Sequence, residues 1–129
     1  MSDINFKREI DATLDEAIAR ITQALGSVGF GILTRIDMHA KIKEKTGKDI
    51  VPTVILGACN PHLAYEAYTA NSDVASLLPC NAVVREIAPG KISLELAKPS
   101  AMMRMLGEDG LVHLAGEADA KLQRALDAA

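Results

Sequence analysis

The sequence predicts an α+β fold, a two-layer sandwich with one mainly antiparallel sheet of about five strands and helices on one face. Three observations carry that prediction. Thr13-Leu14-Asp15-Glu16 is a capping box: the Thr13 hydroxyl accepts from the Glu16 amide while the Glu16 side chain reaches back, so a helix starts here. Lys91 to Ala97 (KISLELA) alternates strictly behind the turn pair Pro89-Gly90, which makes a hairpin with Ile92, Leu94 and Leu96 on one buried face. Elsewhere, short β-branched runs alternate with alanine-rich helical stretches.

The elements follow in order. Ile4 to Glu9 alternates apolar and polar residues at its start, as a short strand does. Behind the capping box, Leu14, Ala17, Ile18, Ile21 and Leu25 recur at helical spacing over residues 14–27, and Gly29 stops the helix. Gly31 to Ile36 reads as a strand, and Asp37 caps a short polar helix that ends at Gly47. Lys48 to Pro52 connects to a third strand, Thr53 to Ala58. Asn60 and Pro61 suit the N-cap and first position of a helix reaching about Thr69, and a short turn spans Asp73 to Leu77. Cys80 to Ile87 is the next strand. Ala101 to Leu106 is helical, Gly107 to Gly110 is a break, and Leu111 to Leu126 forms a terminal amphipathic helix weakened at Gly116.

Composition narrows the functional classes. A chain of 129 residues is one domain's worth, residues 1–129, and can bury a core without metal or disulfide staples. Aromatic residues are scarce, with two Phe, two Tyr and no Trp, so stacking platforms for bases are nearly absent. The net charge of -3 and the lack of a long basic run argue against nucleic acid as a partner. No apolar stretch approaches membrane-spanning length, and the start MSDINFKREID has no signal-peptide core, so a cytoplasmic protein without a membrane partner is expected. Two cysteines in that compartment are reduced thiols.

Both cysteines lie between Thr53 and Val84, each followed by Asn and each beside an element boundary. Cys59, Asn60, Cys80 and Asn81 are therefore the candidate ligand-binding residues. Cys59 precedes a helix N-cap, where the partial positive charge would favour a thiolate. The competing reading is plain packing, since free cysteine is among the most buried residue types. The two thiols are too far apart in sequence for a CxxC motif, and a zinc site would need further ligands from His39, His62, His113 or a carboxylate. Each histidine reads as a surface residue. Met102, Met103 and Met105 read as core filler. Glu44, Glu66 and Glu95 sit on polar faces, and no GxSxG, HExxH or phosphate-loop motif is present, so neither a catalytic set nor a cofactor is assigned.

GFGILTRID, LGACNPHLAYEAY and LLPCNAVV, in that order and spacing, resemble the small bacterial and archaeal family catalogued as domain of unknown function 302. The resemblance covers nearly the whole chain. It implies a TATA-binding-protein-like sandwich, β-α-β(4)-α, often homodimeric, and it implies no activity. Two readings stand. One is a homodimeric module that binds a small ligand or a metal near the two Cys-Asn pairs, with a sheet edge or the Met102 to Leu106 segment as the dimer contact. The other is a thiol-redox or sulfur-handling protein that uses Cys59 with Cys80. A metal-dependent hydrolase is weaker, because too few ligands are visible.

Overall fold

The structure, a computed structural model, describes residues 3–107 and 109–129. Among these residues, five strands form one antiparallel sheet: β1 (Asn5–Asp11), β2 (Gly31–Asp37), β3 (Thr53–Cys59), β4 (Cys80–Ala88) and β5 (Lys91–Ala97), in the order β1-β5-β4-β3-β2. The helices are α1 (Leu14–Ser27), α2 (Met38–Thr46), α3 (Pro61–Ala70), α4 (Pro99–Met103) and α5 (Asp109–Ala128), with 3₁₀ turns at Ser72–Leu77 and Arg104–Leu106. With α2, α3 and α4 taken as elaborations of the loops, the order is β-α-β(4)-α.

The local signals act as their chemistry dictates. Both halves of the capping box form, Glu16 N to Thr13 Oγ1 at 3.1 Å and Thr13 N to Glu16 Oε1 at 2.9 Å. Behind it, Ala17, Ile21, Ala24 and Leu25 are buried on one face of α1. That face meets Val84, Ile92 and Leu94 of the sheet and Leu122, Ala125 and Leu126 of α5 in one core cluster. The end of α5 is held from the sheet. Arg8, opposite Leu94 on edge strand β1, donates from Nη1 to the carbonyls of Leu126 (2.9 Å) and Asp127 (2.8 Å). Arg20 donates to the Ala129 carbonyl at 2.7 Å. Carbonyls at a helix C-terminus run short of intrahelical donors, the Leu126 one here sharing the Ala129 amide at 3.3 Å, and cations complement the negative end of the helix dipole.

Several expectations shift by a residue or two, and others change in kind: of the methionines read as core filler, Met105 is exposed. Asp37 makes no capping bond to α2; its carboxylate instead accepts from Arg35 Nε at 3.0 Å. His39 is half-buried rather than a surface group. Its Nδ1 accepts from the Thr53 amide at 3.0 Å, which continues the ladder beyond the last β2–β3 pair, Asp37 with Val54. Glu95 is not on a polar face: it is 4% exposed, and its Oε2 accepts from Arg85 Nη1 (2.8 Å) and Ser93 Oγ (3.0 Å). A carboxylate so far from water requires donors of this kind. The break expected over Gly107 to Gly110 is shorter, since α5 starts at Asp109 and runs through Gly116, while Glu108 lies outside the described residues.

One glycine is demanded by contact. Gly57 pairs with Thr34 on one side and Asn81 on the other, and a Cβ there would collide with Thr34 Oγ1 and lie 2.7 Å from the Pro79 ring. Gly57→Ala should therefore cost about 1–3 kcal/mol in chemical denaturation, as overpacking does. Gly31→Ala, where an added Cβ meets nothing within 4 Å, should stay within about 0.5 kcal/mol of the parent. Equal losses for the two variants would contradict this packing account.

Candidate functional site

The site begins with the register of β3 against β4. Ala58 pairs with Cys80, so the end of one strand and the start of the next lie side by side and the two thiols share one end of the sheet. Asn60 follows at once, capping α3 with Oδ1 accepting from the Leu63 amide at 3.2 Å, and Pro61 takes the first helical position. Asn60 is itself buried at 8% exposure. Its Nδ2 packs over Gly29, 3.0 Å from where a Cβ on that residue would stand. Gly29 has φ +87°, a conformation strained for any other residue, and a Cβ there would also crowd the Asn60 amide.

At this end the helices close over the sheet and leave a crevice. Leu63, Ala64 and Ala67 of α3 form one wall, and Leu111, Leu114, Ala115 and Ala118 of α5 form another. Pro99 and Met103 of α4 lie across it, and Ala58, Cys59, Asn60 and Cys80 supply the floor and rim. The crevice measures about 460 Å³ with its open mouth, but its interior free space is only about 40 Å³. That is room for a few heavy atoms. The surrounding side chains overlap a second, smaller core cluster of Ala67, Val74, Met103, Leu111 and Ala115, separate from the one under α1.

Three of the four residues singled out in the sequence therefore meet at one place. The fourth does not. Asn81 follows Cys80 within a strand, so it points to the opposite face, where it is exposed and stands across from Gly57. The apolar walls carry no motif in the sequence. Their only signal is the helical spacing of Leu111, Leu114, Ala115 and Ala118, which reads equally well as ordinary core.

The electrostatics oppose the expected thiolate. Burial pushes the Cys59 thiol up from its ordinary value. Burial, with smaller contributions from Cys59 and the Asp119 carboxylate, pushes Cys80 up to about 11. Desolvation outweighs the helix end because the thiolate would exchange water for aliphatic walls. Among the described residues, no group of three or more His, Cys, Asp or Glu side chains is placed to hold a metal ion. No helix among them is long and apolar enough to cross a membrane.

A pH dependence follows. Between the ordinary cysteine value of 9.0 and about 11, the unfolded chain loses the Cys80 proton while the folded chain keeps it. Stability contributed by the buried neutral thiol is complete below pH 9 and declines as pH rises through that window. Denaturant midpoints of the wild type and Cys80→Ala, compared from pH 8 to 11, should converge as pH rises. Parallel curves would show that Cys80 ionises alike in both states.

Comparison with known proteins agrees with this architecture. A family model described as Domain of unknown function DUF302 matches residues 6–129. The crystal structure of an uncharacterized conserved protein DUF302 from Bacillus stearothermophilus superposes with a TM-score of 0.90 at 29% sequence identity, covering 98% of each chain. No curated protein matches the chain. With the family model spanning nearly its whole length and the same fold in that relative, the chain belongs to the DUF302 family.

Proposed function

We propose that this chain is a binding module for a small, largely apolar ligand, held in the crevice between the β3–β4 end of the sheet and helices α3, α4 and α5. The observation that carries the reading is the convergence of Asn60, Cys59 and Cys80 on one aliphatic crevice. Such sites pair an apolar lining with a few placed polar groups that set orientation. The metal-binding form of the reading lacks a ligand cluster among the described residues. The thiol-chemistry alternative needs a stabilised thiolate, and burial works against one at both cysteines.

Hexanol titration followed by amide chemical shifts tests the proposal. Shifts should localise to Ala58, Cys80, Ala67 and Ala115, and Ala115→Phe should weaken the response at least about tenfold by occupying the space. Shifts that spread over the surface, or an unaltered response in Ala115→Phe, would overturn it.

A second copy of the chain fits the sheet face turned away from α1 and α5. Ile36 pairs with Ile55 and Ile55 with Val83, which lays an apolar row across three strands beside the Arg85–Glu95 pair. Ile36 is 41% exposed. The two contacts expected from the sequence have less support. The β2 edge is broken by a register shift between Ile32 and Thr34 and carries Arg35 and Asp37, features that discourage edge pairing. Met103, in the middle of the other segment, is buried. Light scattering should give a dimer for the wild type and a monomer for Ile55→Lys; a monomeric wild type at high micromolar concentration would exclude the reading.

A further inference from the structure

The crevice as it stands is too small for the ligand that the proposed function calls for. Its interior of about 40 Å³ contrasts with the roughly 300 Å³ or more of ordinary small-molecule sites. One wall must move if anything larger than a few atoms is to enter, and the walls differ in how they are held. The floor is the paired ends of β3 and β4. Helix α3 grows directly out of β3 through the Asn60 cap, and α5 has its far half in the main core through Leu122, Ala125 and Leu126. Helix α4 is different. It has five residues, less than two turns, and its end passes into the 3₁₀ turn Arg104–Leu106.

The ends of this segment are suited to act as pivots. Lys98, before it, is in extended conformation, and its amide donates to the Ile4 carbonyl at 2.7 Å. Gly107, after it, is left-handed at φ +65°. Between the pivots, among the described residues, the polar tie to α5 runs through Ser100. The Asp119 carboxylate accepts from the Ser100 amide at 3.1 Å and from the Ser100 hydroxyl at 2.5 Å. This pair joins α4 to the helix across the crevice, and Pro99 and Met103 are buried beneath it.

We infer that Pro99–Leu106 is a lid over the crevice and that the Ser100–Asp119 pair is its latch. The inference rests on the crevice being the binding site, and it states how that site admits its ligand. With the latch made, Met103 fills the space beside Ala67 and Leu111. With it released, α4 swings about Lys98 and Gly107, Met103 withdraws, and the volume it occupied joins the crevice. A local opening of this kind is favoured where a short element has few bonds tying it to its surroundings.

Hydrogen exchange on the full chain without any ligand tests the lid separately from the binding reading. In Asp119→Ala, the amides of Ser100, Ala101, Met102 and Met103 should exchange on the order of fivefold faster, as expected for loss of a capping carboxylate. Ser100→Ala keeps the amide bond and the charge, and it should give a smaller increase at the same amides. The amides of Val84 and Leu94, in the main core, should keep their rates in both variants. Equal acceleration in the strands would mean that Asp119 supports the whole fold, and unchanged α4 amides would mean that it latches nothing; either result overturns the lid. Hexanol titration of Asp119→Ala completes the separation. A lid that opens while hexanol shifts nothing leaves the latch standing and removes the binding reading. Hexanol bound in the crevice with the α4 amides unmoved does the reverse.

Discussion

The pairing of β3 with β4 is the constraint on which the rest depends. With Ala58 opposite Cys80 and Leu56 opposite Ala82, Val54, Leu56 and Ala58 turn to the helices, as do Cys80, Ala82 and Val84. A slip of one residue would send every one of these side chains to the other face, because side chains in a strand alternate strictly. The register also places Gly57 beneath the Pro79 ring and against Thr34, where no side chain fits. The main core, the mouth of the crevice and the close approach at Gly57 are thus three consequences of one alignment.

From that alignment the sheet end inherits its chemistry. A strand that stops at Cys59 and passes directly into the Asn60 cap leaves one amide among aliphatic side chains. The α3 and α5 walls stand over the Cys80 thiol and strip much of its water, while Cys59 sits nearer the rim. A helix start near a cysteine is often taken as a sign of reactivity, but the helix end is a modest effect at close range and desolvation is large in an apolar enclosure. Here desolvation wins at both cysteines. The same aliphatic enclosure that disfavours thiol chemistry suits an apolar guest.

Much of the fold was legible in the sequence because its signals are local. The Thr13–Glu16 box, the Asn60-Pro61 helix start and the Pro89-Gly90 hairpin each rest on a few neighbouring residues, and each appears as read. What was not legible depends on partners distant in sequence. Glu95 looked like a surface carboxylate until Arg85 and Ser93 were placed beside it. His39 looked exposed because nothing local shows that the Thr53 amide lacks a strand partner. Asp37 carried a capping residue's identity, yet Arg35 claimed its carboxylate.

The site was half legible for a similar reason. Cys59, Asn60 and Cys80 stood out by their positions at element boundaries, whereas α4 and α5, which close the crevice, come from the far end of the chain and announce only helix and core. Asn81 stands apart because the period of a strand separates it from Cys80 by a face. The most direct test of the account is a crystal of this protein pressurised with xenon, which enters dry apolar cavities and little else. A xenon atom should lie between Ala58, Ala67, Met103 and Ala115. A crevice left empty while xenon binds elsewhere would contradict it.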